Sequence, residues 1–117
     1  MYSHPQQGMG QKALELRREA GAWLKQLRQD SNLSQRYLAK LVQVEYYTFI
    51  SQIEAGKGRI PPDRYAIWAE ALGVPTREFV RTLLRYYDPI TYALLFEDEA
   101  AAAATVRESS ATMEPVG

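Results

Sequence analysis

Cysteine is absent from the chain, and histidine occurs only once, at position 4. Without cysteine there is no disulfide and no thiolate metal site. A single histidine is too few to form a metal-ligand cluster or a histidine-based catalytic site. Glycine loops that cradle phosphates and Ser/His/Asp sets are missing as well. The sequence therefore predicts neither an enzyme nor a protein that holds a metal or a cofactor.

Long apolar runs are also missing. No stretch approaches the roughly 20 residues that a membrane helix requires, and residues 1–10 lack the basic start and apolar core of a secretion signal. We therefore expect no membrane contact and a cytoplasmic location. Sustained period-two alternation, the mark of half-buried strands, occurs nowhere, and its absence favours an all-α fold.

Positive and negative charges are equal in number but unequally distributed. The chain has 14 Lys and Arg residues and 14 Asp and Glu residues. Residues 97–117 contain one arginine against five acidic residues, so that residues 1–96 carry a net charge of +4. A basic body with an acidic tail is compatible with nucleic-acid binding.

The first two helices are predicted from apolar spacing and from a capping residue. Apolar residues at three- and four-residue steps predict a helix over residues 11–30. Gly21 either weakens this helix locally or lets a neighbour pack closely against it. Ser34 is expected to cap a second helix over residues 35–42, because its hydroxyl can accept from an amide of the first turn.

The remaining helices are predicted mainly from proline and glycine. A third helix is predicted over residues 45–55 and ends at Gly56, since glycine is the usual left-handed stop. Three later helices are predicted: one that follows Pro61 and Pro62 and ends at Gly73, one over residues 77–87 capped by Thr76, and a short one over residues 90–96 after Asp88 and Pro89.

Residues 33–56 carry the most information about function. Two short helices joined by a few residues are typical of a helix-turn-helix, in which the second helix enters the major groove. In this sequence that helix is the one predicted over residues 45–55. Ile50 and Ile53 form its apolar stripe, and Tyr46 and Phe49 fall near this stripe. The opposite face gathers side chains suited to reading base edges: Tyr47, Thr48, Ser51 and Gln52.

In the order and spacing of its motifs, the sequence resembles the Cro/CI-type (lambda-repressor-like, XRE) helix-turn-helix family. The matching segments are residues 24–28 (LKQLR), residues 33–35 (LSQ) with Leu38 and Ala39, residues 50–54 (ISQIE) with Gly56 and Lys57, and residues 68–74 (WAEALGV). The resemblance implies a five-helix domain that is usually dimeric on double-stranded DNA. It also implies that Arg28 pairs with Glu54.

The resemblance and the polar start of the helix predicted over residues 35–42 together suggest which residues meet the DNA. Tyr47, Thr48, Ser51 and Gln52 are assigned to base edges. The residues assigned to the DNA backbone are Ser34, Gln35, Arg36, Tyr46, Lys57 and Arg59. For Tyr46 a place in the core is the alternative to a phosphate contact, and for Trp23 and Trp68 we favour the core over a role as base platforms.

Two departures from the family pattern fall in the turn. Gln43 stands where the family usually has glycine, and a positive φ there costs glutamine steric energy that glycine avoids. The interval between Leu33 and Ile53 is one residue longer than is typical. The extra residue lies within residues 44–48, which is where the register of the reading face is decided.

The end of the chain offers a second predicted surface. Tyr86, Tyr87, Ile90, Leu94 and Phe96 supply aromatic and aliphatic side chains that a dimer interface favours. The alternative is that they fold back on their own core. The predicted organisation is a disordered leader over residues 1–10, the DNA-binding domain over 11–87, a short helix over 88–96 and an acidic disordered tail over 97–117.

These observations predict a transcriptional regulator, a repressor acting as a homodimer on an operator, with no cofactor. One alternative is the antitoxin of a toxin–antitoxin pair that also binds its own promoter and covers a protein partner with its C-terminal region. The other alternative is a protein-interaction module that kept the fold and lost DNA binding.

Overall fold

The structure, a computed structural model, describes the backbone of residues 3–97 and the side chains of residues 10–97. Its α-helices are α1 (Ser3–Asp30), α2 (Gln35–Leu41), α3 (Thr48–Glu54), α4 (Tyr65–Leu72), α5 (Thr76–Tyr87) and α6 (Pro89–Tyr92). A short 3₁₀ turn, Pro62–Arg64, precedes α4, and a π-helical turn, Ala93–Glu97, follows α6. No strand occurs between residues 3 and 97, which agrees with the all-α prediction. The predicted tail lies outside the described residues, apart from Glu97.

Helix α1 begins earlier than the sequence predicted. It starts at Ser3 rather than at residue 11, and so includes residues 3–10 of the segment that was predicted as a disordered leader. Pro5 falls in the first turn, where a missing amide hydrogen costs no helical hydrogen bond. Gln6, Gln7 and Met9 have high helix propensity, which outweighs the low helix propensity of Gly8 and Gly10.

Each of the first four helices ends in the same way. A residue at the C-cap or just after it takes a left-handed conformation, at Asn32 (φ 57°), Gln43 (φ 60°), Gly56 (φ 79°) and Gly73 (φ 70°). The amide of the following residue then donates to the carbonyl five residues earlier, as Val44 does to Ala39 at 2.9 Å and Lys57 does to Gln52 at 2.9 Å. This is the Schellman closure, and it satisfies the last free carbonyls of each helix.

The turn between α2 and α3 is longer than predicted. Helix α2 is capped as expected, because the Ser34 hydroxyl accepts from the amide of Tyr37 at 3.0 Å. Helix α3, however, begins at Thr48 and not at residue 45. After the left-handed Gln43, residues 44–47 connect the end of α2 to the start of α3. The extra residue of this sequence is thus accommodated before the helix starts.

The core lies where helices α1 to α5 meet. Its largest fully buried side chains are Trp68, Phe79, Leu24, Leu38, Ile50, Ile60, Leu83 and Val42. Trp23 is half-buried, and its ring centroid lies 5.5 Å from that of Phe79. Both tryptophans therefore pack in or against the core, as the sequence indicated.

The later helices differ from the prediction in their caps. Helix α5 starts at Thr76 itself, with Pro75 at the N-cap position, and no side chain caps it. Pro89 opens α6 as predicted, because its fixed φ suits the first helical position. None of the helices within residues 3–97 has both the length and the apolar character needed to cross a bilayer.

Candidate nucleic-acid interface

Helix α3 is held from behind by α1. A Cβ atom at Gly21 would lie 2.7 Å from the carbonyl oxygen of Ile53 and closer still to that of Glu54. Of the two interpretations of Gly21, the structure therefore supports close packing. A Cβ at Gly56 would lie 2.8 Å from the Cα of Arg18. The two glycines let α1 approach the end of α3 at backbone distance.

A buried ion pair adds to this attachment. Arg28 donates from Nε to Oε2 of Glu54 at 2.6 Å and from Nη2 to Oε1 at 3.0 Å. Its third nitrogen, Nη1, donates to the carbonyl of Leu33 at 2.7 Å. Both charged side chains are almost fully buried, and such a pair is stable only when its hydrogen-bonding groups are satisfied. The structure thus brings together the pair that the resemblance implied.

Gln35, assigned to the DNA backbone from the sequence, has an internal partner. Its Nε2 donates to Oε1 of Glu54 at 3.0 Å, and the residue is only partly exposed. Ser34 likewise uses its hydroxyl to cap α2. The capping role of Ser34 was predicted, whereas the hydrogen bond of Gln35 was not, and through it Gln35 joins α2 to the ion pair on the buried side of α3.

The outer face of α3 is polar and open. Ile50, Ile53 and Glu54 are buried, whereas all four predicted base-reading residues, Tyr47, Thr48, Ser51 and Gln52, are exposed. Tyr47 stands at the N-cap position of α3. The predicted set thus lies together at one surface, on the side of the helix opposite the core.

Of two aromatic residues near α3, Phe49 lies where it was not expected, whereas Tyr46 is exposed as its assignment to the DNA backbone requires. Phe49, placed near the apolar stripe, is 53% exposed, and Tyr46 is 59% exposed, so the core alternative for Tyr46 is wrong. The reason is Glu54. Once Arg28 draws Glu54 inward, the buried arc of α3 is centred on Ile50, Ile53 and Glu54, and Phe49 lies at its edge. The predicted ion pair could have revealed this.

Basic side chains flank the open face. Lys57 is exposed just after α3, and the guanidinium of Arg36 lies 4.8 Å over the ring of Tyr47. Lys40, one turn after Arg36 on α2, lines the same shallow depression, which also includes Val44 and Glu45. Lys40 was not among the predicted residues, although its four-residue spacing from Arg36 places both on one side of α2.

Arg59, assigned to phosphate from the sequence, is partly exposed and is paired with another residue of the fold. Its Nη2 donates to the carboxylate of Asp88 at 2.8 Å, and its guanidinium lies 4.6 Å over the ring of Tyr87. The hydrogen bond to Asp88 raises the pKa of Arg59 above its ordinary value. The Arg59–Asp88 ion pair joins the loop after α3 to the start of α6. We therefore assign Arg59 a structural role and leave it out of the DNA-contacting set.

The predicted dimer residues divide into two groups. Tyr87 packs against the core and accepts at its hydroxyl from the amide of Ile60 at 3.2 Å. Tyr86 lies near Trp23 and so follows the fold-back alternative, whereas Phe96 lies near Tyr92 of its own segment, with the guanidinium of Arg81 in α5 4.9 Å from its ring. Ile90 and Leu94, by contrast, are 68% and 63% exposed.

An apolar groove lies next to these exposed residues. It has a volume of about 650 Å³ and runs between α1 and the start of α6. Its apolar lining comes from Ala13, Leu16, Tyr86, Pro89 and Ile90. Leu95 extends the exposed apolar surface of the π-helical turn.

Comparison with known proteins agrees with this geometry. Residues 24–79 match the family model described as helix-turn-helix. The matched segment runs from the middle of α1 into α5 and contains the whole of α2, the turn and α3. No curated protein matches the chain significantly.

Proposed function

Residues 24–79 belong to the Cro/CI-type (XRE) helix-turn-helix family of DNA-binding regulators, and from this premise we propose that the chain is a transcriptional repressor that binds an operator as a homodimer. The observation that carries the proposal is the outer face of α3. Its hydrogen-bonding side chains are exposed together while the back of the helix is fixed to α1.

Base selection is assigned to that outer face. Gln52 is suited to pair bidentately with adenine through its amide, and Thr48 and Ser51 offer hydroxyls that tolerate several bases. Tyr47, at the start of the helix, is placed to contact a base edge or the adjoining phosphate. Together these four side chains give the choice of sequence.

Affinity is assigned to the flanking cations. Lys57, Arg36 and Lys40 lie around the face and neutralise phosphates, which releases counterions and makes binding sensitive to salt. Tyr46, exposed in the turn, adds a hydroxyl donor for a phosphate oxygen. Contacts of this kind fix the register of the protein on the duplex without reading its sequence.

Dimerisation is assigned to the C-terminal helix. Ile90 lines the groove between α1 and α6, and Leu94 and Leu95 in the following turn are exposed, so one protomer offers both a recess and exposed apolar side chains. A two-fold interface requires such a self-complementary patch. Two copies would then place their α3 helices in major-groove faces about 34 Å apart. Repression follows because the bound dimer blocks the promoter, which also places the protein at the nucleoid.

Selection of bound sites from random DNA tests the proposal. We expect an inverted repeat whose half-site centres lie about one helical turn apart. Light scattering of the full chain should give the mass of a dimer, and Leu94→Glu should give a monomer. A gel shift at low salt that shows no bound DNA at micromolar protein would overturn the proposal, whereas asymmetric sites bound by a monomer would overturn its dimeric part alone.

A further inference from the structure

Phe49 presents an apolar ring on the surface assigned to DNA. It is 53% exposed and lies three residues before Gln52, so that the two side chains are neighbours on α3. Leaving so much apolar surface in water forgoes stabilisation, at roughly 25 cal/mol for each Å² that burial would remove from solvent. A partner that covers this ring on binding would recover that free energy.

The chemistry of the major groove restricts what that partner is. The base edges there carry hydrogen-bond donors and acceptors, and the one apolar group among them is the C5-methyl of thymine. A phenyl ring neither donates nor accepts a conventional hydrogen bond, so it gains nothing from the edges of guanine, cytosine or adenine. Against a phosphate it would strip water from an anion without replacing the lost hydrogen bonds.

We propose that Phe49 is a specificity-determining residue that packs on the C5-methyl group of one thymine in each half-site. The inference rests on the proposed function, since it requires the outer face of α3 to meet base pairs. Because Gln52 is adjacent and suited to adenine, the two residues together select neighbouring A·T pairs. The thymine is thus read by its methyl group and the adenine by its amino and ring nitrogens.

Replacing thymine by deoxyuridine in the selected operator tests the inference, because that change removes only the methyl group. Each thymine of a half-site is replaced in turn, and the Kd of the full-length chain is measured at fixed salt. We expect one position at which deoxyuridine weakens binding by about fourfold per half-site, the equivalent of ~0.8 kcal/mol for one buried methyl-sized group. Phe49→Ala should bind thymine and deoxyuridine equally at that position, while effects at the other thymines stay as in the wild type.

Phe49→Leu provides the matched variant. It keeps an apolar side chain, so sensitivity to the methyl group should persist, and its thermal unfolding shows whether the fold tolerates a change at this exposed position. An equal loss of affinity for both operators in Phe49→Ala, or no loss at all, would overturn the inference. So would an operator without thymine in its half-sites, although the proposed function would then stand. Failure of the wild-type chain to bind any DNA would remove both.

Discussion

Gly21 of α1 lies directly against the backbone of Glu54 in α3, with no space for a Cβ atom between the two helices. Alanine normally stabilises a helix by about 1 kcal/mol relative to glycine. Here the added methyl group would meet backbone oxygens, which cannot rotate away as a flexible side chain would. We expect Gly21→Ala to lower the free energy of unfolding by about 1–3 kcal/mol, as overpacking does in other cores.

Gly10 supplies the matched control, since it lies in the same helix with nothing within 4 Å of an added Cβ. Gly10→Ala should leave stability unchanged or raise it by up to ~1 kcal/mol. Urea unfolding of the two variants gives the comparison. Equal changes in both would mean that α1 does not approach α3 as closely as described.

The left-handed turn residue gives a second prediction. Gln43 has φ 60°, a conformation that costs a residue with a Cβ roughly 1–2 kcal/mol. Gln43→Gly removes that cost but gives the unfolded chain more freedom, so we expect a net gain in stability of no more than ~1 kcal/mol. Thermal unfolding measures it.

The reverse change at Gly73 checks the same physical reason. Gly73 has φ 70°, and no atom lies within 4 Å of an added Cβ, so Gly73→Ala isolates backbone strain. It should lower stability by about 1–2 kcal/mol. A stabilised Gly73→Ala variant, or a destabilised Gln43→Gly variant, would contradict the left-handed assignment at that position.

A third prediction concerns alkaline pH. Burial raises the pKa of Tyr87 above its ordinary value of 10.0. Between pH 10 and the higher pKa of the folded state, the folded chain keeps a proton that the unfolded chain loses. Stability is therefore complete below about pH 10 and falls as the pH rises through the folded pKa.

Tyr87→Phe should abolish the contribution of this tyrosine to the slope of the unfolding free energy against pH. It should also cost about 1 kcal/mol at neutral pH, because the amide of Ile60 loses its acceptor. Unfolding free energies from urea titrations at pH 8.5 to 11 measure both effects. Tyr37→Phe, at an exposed tyrosine, serves as the control and should retain the dependence on pH. An unchanged slope in Tyr87→Phe would refute the explanation.

A fourth prediction separates base reading from phosphate binding. Gln52→Ala should weaken binding to the selected operator by ~1–3 kcal/mol and relax the preference at one base pair. Lys57→Ala should weaken binding to every sequence alike. It should also reduce, by about one, the magnitude of the slope of the logarithm of the binding constant against the logarithm of the salt concentration. Fluorescence titrations over a range of salt concentrations distinguish them. If Gln52→Ala left the base preference intact, Gln52 would not be a reader, and a sequence-dependent loss in Lys57→Ala would contradict its assignment.

Much of the fold could be predicted from local chemistry. Ser34 could be identified as a cap, and Gly56 and Gly73 as helix stops, because each acts through its own backbone neighbours. The family segment could be recognised because its motifs lie at fixed spacing within residues 24–79. The close packing at Gly21 was one of two open alternatives, and only the position of α3 decided between them.

What the sequence could not predict depends on distant partners. Arg59 looked like a phosphate ligand because its partner, Asp88, is 29 residues away, at the start of another helix. Gln35 was assigned to DNA for the same reason, since Glu54 lies in a different helix. Phe49 was placed near the core because a helix of seven residues gives little periodicity, and the inward turn of Glu54 shifts the buried arc.

The attachment of α3 to α1 has a consequence for how such a regulator diversifies. Gly21 and the Arg28–Glu54 pair attach α3 to α1 through the buried side of α3, and none of its exposed side chains takes part in this attachment. Substitutions on the exposed surface therefore carry little penalty in stability. A duplicated copy of this chain would be free to acquire a new target site by point changes alone, while its scaffold remained intact.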